Sequence, residues 1–126
     1  MRNAFACLLI TAAALMPSRG GAQSCAPTAT PLVAHEVSRE AESLESTAAF
    51  GPGLHRPTEN DSMPSNVIEF VVDTSGRALP HTFRVLHVED GGLVDAARAA
   101  LSRWRFQPAV DRGCRVPQVT QWILRG

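Results

Sequence analysis

Four histidines, three cysteines, one serine in a tight turn and a pair of adjacent carboxylates are the side chains of this 126-residue chain that invite a chemical reading. His81 and His87 have the same parity in one extended segment, but six residues of strand set them about 20 Å apart, too far to share an ion. His35 and His55 have no Cys or carboxylate at ligand spacing, so no metal site is expected. A nucleophilic serine needs a strained elbow and a neighbouring base, whereas Ser75 sits in Thr74-Ser75-Gly76 with no Gly motif before it. Glu89 and Asp90 are adjacent at the end of a strand, where water solvates them, and Gly91-Gly92 lacks the later Gly and the Lys of a phosphate cradle. The sequence therefore predicts no enzyme, no cofactor, no small-molecule substrate and no nucleic-acid platform.

The cysteines point elsewhere. Arg2 precedes an apolar run from Ala4 to Met16, followed by Pro17 and the small residues Gly20, Gly21 and Ala22. That is the pattern of a secretory signal peptide over residues 1–22, and an apolar run of about 13 residues is too short for a bilayer, which takes about 20. The expectation is export to the periplasm, with lipidation at Cys25 and attachment to the outer membrane as the alternative. Cys7 leaves with the signal peptide, so Cys25 and Cys114 remain in a compartment that permits a disulfide. Such a bond would tie the start of the chain to its last hairpin and is worth about 4 to 5 kcal/mol in the chain-entropy picture; two free thiols are the alternative.

These residues have to be positioned by few elements. Residues 23–66 read as an N-terminal arm: a Pro/Thr/Ala tether, then Val33, Val37, Ala41, Leu44 and Ala48 at helical spacing, then a loop carrying Pro52, Pro57 and Pro64. Residues 67–126 read as a compact domain. Ile68, Phe70 and Val72 alternate as a strand, Asp73-Thr74-Ser75-Gly76 is turn chemistry, and a second strand is expected over residues 77–88. Leu93, Val94, Ala97, Ala100, Leu101 and Trp104 form a helical stripe, with Asp90 placed to cap it and Trp104 and Phe106 placed for burial. Asp111-Arg112-Gly113-Cys114 turns the chain into a final strand over residues 115–124. Pro117 lacks the amide that a central ladder needs, so that strand is expected at an edge, open to another chain. The formal charge is zero but segregated: six acidic residues against two Arg between Glu36 and Asp61, and eight Arg against four acidic residues between Arg77 and Arg125. The acidic arm can lie against the basic domain or compete with an acidic partner.

Phe70-Val71-Val72-Asp73-Thr74-Ser75-Gly76-Arg77, Phe83-Arg84-Val85-Leu86, Ala96-Ala97-Arg98-Ala99-Ala100-Leu101, Arg103-Trp104-Arg105-Phe106-Gln107-Pro108 and Val116-Pro117 together resemble the C-terminal domain of TonB-like proteins. The resemblance spans residues 67–124. It implies an α+β fold, a three-stranded antiparallel sheet in β-β-α-β order backed by helices, in the periplasm. It also implies that the last strand pairs with a short segment of an outer-membrane transporter, in a process linked to transmembrane transport. The expected partner-binding residues are Val116, Gln118, Val119, Thr120, Gln121, Trp122 and Ile123. A second expectation is structural: the edge pairs with itself in a symmetric homodimer.

Overall fold

In the computed structural model the described residues are 25–26, 30–44, 51–61 and 65–126. The expected signal peptide and residues 45–48 of the expected arm helix lie outside the described residues. Among the described residues the fold is α+β, with antiparallel sheets and one short α-helix.

In chain order the strands are β1 (Glu42–Ser43), β2 (Gly53–His55), β3 (Asn66–Val72) and β4 (Arg84–His87). Helix α1 (Gly91–Ala100) follows, then β5 (Phe106–Gln107), β6 (Ala109–Asp111), β7 (Cys114–Val116) and β8 (Gln118–Arg125). The main sheet has the order β2-β8-β3-β4, and β1–β5 and β6–β7 form two small ribbons beside it.

Alternation makes β3 what it is. Ile68, Phe70 and Val72 are buried on one face, opposite Trp122, Thr120 and Gln118 of β8. Helix α1 covers that face with Val94, Ala97 and Ala100, its first turn capped by the Asp90 carboxylate, which accepts from the Gly92 amide at 2.9 Å. The stripe expected to continue through Trp104 instead tightens into a 3-10 turn over Leu101–Arg103. Trp104 and Phe106 are buried as their sequence suggests. Phe70 lies 5.9 Å from Trp104 and 5.5 Å from Phe106, and Phe106 lies 5.7 Å from Trp122, ring centre to ring centre.

Two turns set the register. The Asp73 carboxylate accepts from the amides of Ser75 and Arg77 and from the Ser75 hydroxyl. Gly76 then takes φ 82°, and a Cβ there would stand 2.1 Å from the Phe106 carbonyl oxygen. At the β6–β7 hairpin Arg112 and Gly113 both adopt positive φ, 51° and 79°, the conformation that matches a tight turn to strand twist.

Four expectations need correction. The second strand is short, Arg84–His87, because Pro80 begins a 3-10 turn over Pro80–Thr82 rather than extending the ladder. The expected arm helix is absent from residues 33–44: a 3-10 turn at Ala34–Glu36 gives way to extended chain. Long-range bonds replace helical ones there. Arg39 exchanges amide and carbonyl with Val110, the Ala41 amide donates to the Gln118 side chain, and the Leu44 amide donates to the Arg105 carbonyl. The main sheet has four strands, not three, and the arm belongs to the fold, since Ala41 is fully buried in the core and the arm supplies β1 and β2. Finally, the last strand is not an edge. Pro117 breaks the expected strand in two, β7 and β8, and β8 lies between β2 and β3.

Candidate functional site

The outer side of β8, away from β3, is where the arm meets the domain, and its cover is discontinuous. At one end Leu32 forms a parallel bridge to Gln118: its amide donates to the Pro117 carbonyl at 3.0 Å, and its carbonyl accepts from the Val119 amide at 2.8 Å. At the other end β2 pairs antiparallel with β8, Gly53 opposite Arg125 and His55 opposite Ile123. Between them, among the described residues, no strand is registered opposite residues 119–122 on that side. A strand residue sends its N–H and C=O to the same side, alternating along the chain. Since Pro117 and Val119 bond outward, the backbone groups of Gln121 face outward too, into the gap.

A cleft of about 370 Å³ opens on this gap, lined by His35, Glu40, Arg56, Pro57, Glu69 and the consecutive residues Val119, Thr120 and Gln121, among others. Side chains of both faces line it because it lies in the plane of the sheet, at the strand's edge. Pro57 explains why the gap exists: with no amide and a fixed φ it cannot carry β2 onward past Arg56.

Beneath the cleft the polar groups are tied together. The Gln118 side chain is fully buried, accepts from the Ala41 amide at 2.7 Å and donates to Glu40 at 3.1 Å. Arg56 forms an ion pair with Glu40 at 2.7 Å, donates to the Ala41 carbonyl, and places its guanidinium 5.0 Å above the Trp122 ring. Among the described residues two buried side-chain atoms lack partners: Thr120 Oγ1 and Trp122 Nε1, on residues only 2% and 3% exposed. An unmet buried polar atom costs about 1 to 3 kcal/mol, so their presence side by side on β8 marks a place where bonding capacity is left unused. In the cleft lining Glu69 accepts from the Gln121 side chain at 3.1 Å and lies 3.6 Å from Arg84.

Asp61 fastens the far end. Its carboxylate accepts from the Thr58 amide at 2.6 Å and hydroxyl at 3.0 Å, and stands 3.7 Å from both His55 of β2 and Arg125 of β8. The Thr58 amide first, then the Thr58 hydroxyl, His55 and Arg125, hold its pKa below the ordinary carboxylate value, although burial opposes them.

The expected partner-binding residues are thus divided. Val119, Thr120 and Gln121 line the cleft, Trp122 and Ile123 lie buried beside it, Gln118 is committed to the arm, and Val116 belongs to β7, paired with Ala109. Cys25 and Cys114 lie at disulfide distance, with Cα atoms 5.6 Å apart, as their pairing in sequence suggests. Sequence reasoning missed Glu40, Arg56 and Pro57, whose signal is only the Pro after a basic residue. The residues with possible chemistry are scattered: His81 is in a 3-10 turn, His87 pairs with Glu89 at 2.8 Å, and the Ser75 hydroxyl is bound to Asp73 at 2.6 Å. Among the described residues no three His, Cys, Asp or Glu side chains gather as a metal site, and no helix is long and apolar enough to cross a membrane. Neither a known family model nor a curated protein matches the chain.

The other end of the sheet is open in a different way. β4 is exposed along its whole length, and Val85, Leu86 and Val88 are 38%, 42% and 52% exposed. Leu86 is an extra residue opposite the Val67/Ile68 step of β3, a bulge in this edge strand.

Proposed function

We propose that this is an exported protein-binding domain, similar to the TonB C-terminal domain, that receives an extended segment of another envelope protein as an added strand on the outer side of β8. The gap at residues 119–122, with the Gln121 backbone facing a cleft, is the observation that carries this reading. Strand addition takes its affinity from main-chain bonds and its specificity from side-chain pockets, and both are offered here. The TonB-like motifs support an outer-membrane transporter as the partner, and the disulfide supports export. No catalytic step is part of this function.

The test is Gln121→Pro. Its amide faces the gap, so the change spares the β3–β8 ladder and removes a donor from the added strand. Retention of a transporter from solubilised envelope by immobilised wild-type chain should fall at least about tenfold with Gln121→Pro, the loss of roughly one or two charge-free hydrogen bonds. Equal retention by both chains would overturn the reading.

The exposed apolar β4 favours a second reading, a homodimer formed edge to edge whose purpose is stability. Sedimentation of the wild-type chain and of Leu86→Lys distinguishes it: a dimer in the first and a monomer in the second.

A further inference from the structure

The arm has already placed one extended segment on the outer edge of β8, and its side chains describe what that edge accepts. Leu54, opposite Leu124, packs on the core cluster. Two residues later Arg56 leaves the strand and enters a cation site made of the Trp122 ring, the Glu40 carboxylate and the Ala41 carbonyl, none of which belongs to β2. The fit is good but the hold is small. β2 is three residues long, all half-buried, and the Arg56 side chain keeps 32% of its surface exposed. Pro57 then stops the ladder one step short of the Gln121 backbone and the unpartnered Thr120 hydroxyl.

We infer that β2 with Arg56 is the chain's own copy of its ligand: the partner contributes an extended segment antiparallel to β8, with an apolar side chain two residues before a basic one and no proline next. This rests on the strand-addition function proposed above and names the partner's chemistry. Such a segment repeats the Leu54 and Arg56 contacts and then continues opposite Gln121, making main-chain bonds that Pro57 denies to β2. A second copy of this chain is the wrong occupant, because its β2 carries the same Pro57 and gains nothing over the tethered one. Charge agrees: the cation site has Glu40 as its anion, and displacing Arg56 leaves that carboxylate to be met by another cation.

The probe is a synthetic peptide with the sequence of residues 51–59 in which the counterpart of Pro57 is Ala, titrated into the disulfide-bonded protein. Arg56→Ala in the protein weakens the tethered copy, so the peptide should bind that variant at least about tenfold more tightly than it binds the wild type, where the tethered strand competes at high effective concentration. Changing the peptide's Arg to Glu, or restoring its Pro, should each weaken binding by about tenfold or more. No saturable binding to the variant, indifference to the Arg-to-Glu change, or self-association of the variant in place of peptide binding would each overturn the inference. If Arg56→Ala loses its helical circular dichroism, Arg56→Gln, which keeps a donor for the Ala41 carbonyl, takes its place. A peptide that fails while Gln121→Pro still abolishes transporter retention refutes the ligand pattern alone; failure of both refutes strand addition itself.

Discussion

The two long sides of β8 are built on different plans. Toward β3 it is paired without interruption through seven residues, Gln118 opposite Val72 to Leu124 opposite Asn66, and the side chains between them make the core. Away from β3 it meets Leu32, then a gap, then the three residues of β2. The inner side is a continuous ladder whose loss is the loss of the fold. The outer side is a patchwork, one piece held by two main-chain bonds and the other by three paired residues, which can open without unfolding the rest. Stability and exchangeability are thus assigned to opposite sides of one strand.

The largest test of this division is Phe70→Ala, which empties the centre of the aromatic cluster between Trp104 and Phe106. It should cost about 3 to 5 kcal/mol in a urea titration followed by tryptophan fluorescence and abolish protection on both sides of β8 together. Survival of the inner ladder alone would show that the aromatic cluster does not hold that ladder together.

Replacing both Cys25 and Cys114 by Ser should cost about 2 to 4 kcal/mol, less than the loop model allows. Its local effect should fall on the outer side of β8. Hydrogen exchange at the Val119 amide, bound to Leu32, should accelerate more than at the Thr120 amide, which faces β3. Equal acceleration at both would mean that the two sides open as one.

Gln118→Ala, at the seam between the sides, leaves the buried Ala41 amide without its acceptor and should cost about 1 to 3 kcal/mol by the same titration. The smallest effect lies off the strand, at Asp73. Burial raises its pKa, but bonds from the Ser75 hydroxyl and the amides of Arg77 and Ser75, with the Arg77 charge, outweigh this and leave it lowered. A carboxylate lowered in the folded state stabilises above its unfolded pKa, about 3.9, and loses that contribution as pH falls through the folded value. Asp73→Asn should therefore cost up to about 1 kcal/mol at pH 7, and urea midpoints of variant and wild type should converge as the pH falls from about 3.9 through the lower folded value.

Much of the inner side was legible in the sequence. Ile68, Phe70 and Val72 announce β3 by alternation, Asp73 and Gly76 announce the turn, Asp90 announces the helix, and Cys25 and Cys114 announce each other. The outer side was not. Val33, Val37, Ala41 and Leu44 have helical spacing, yet an isolated helix of small residues is marginal, and bonds to Val110, Gln118 and Arg105 hold the backbone extended instead. Gly53-Leu54-His55 is too short to show a period. Pro117 carried a true signal with the wrong scope: it marks where the chain changes partner from β6 to β3, and its missing amide falls at that junction rather than along an open edge. Arg56, Glu40 and Trp122 meet only through the fold, so no spacing could have joined them.

The disulfide has a mechanical meaning beyond stability. It joins residues 89 positions apart, so a pull on the chain at Cys25 passes directly to Cys114 and from there through β7 into β8. The chain between them, a sequence separation of 89 and about 300 Å of contour length, is shielded from the load. Tension between the N-terminal side of Cys25 and Gly126 is borne by β7 and β8, not by the arm. In a single-molecule pulling experiment the oxidised protein should give a short extension, lengthened by that hidden contour only after the bond is cut.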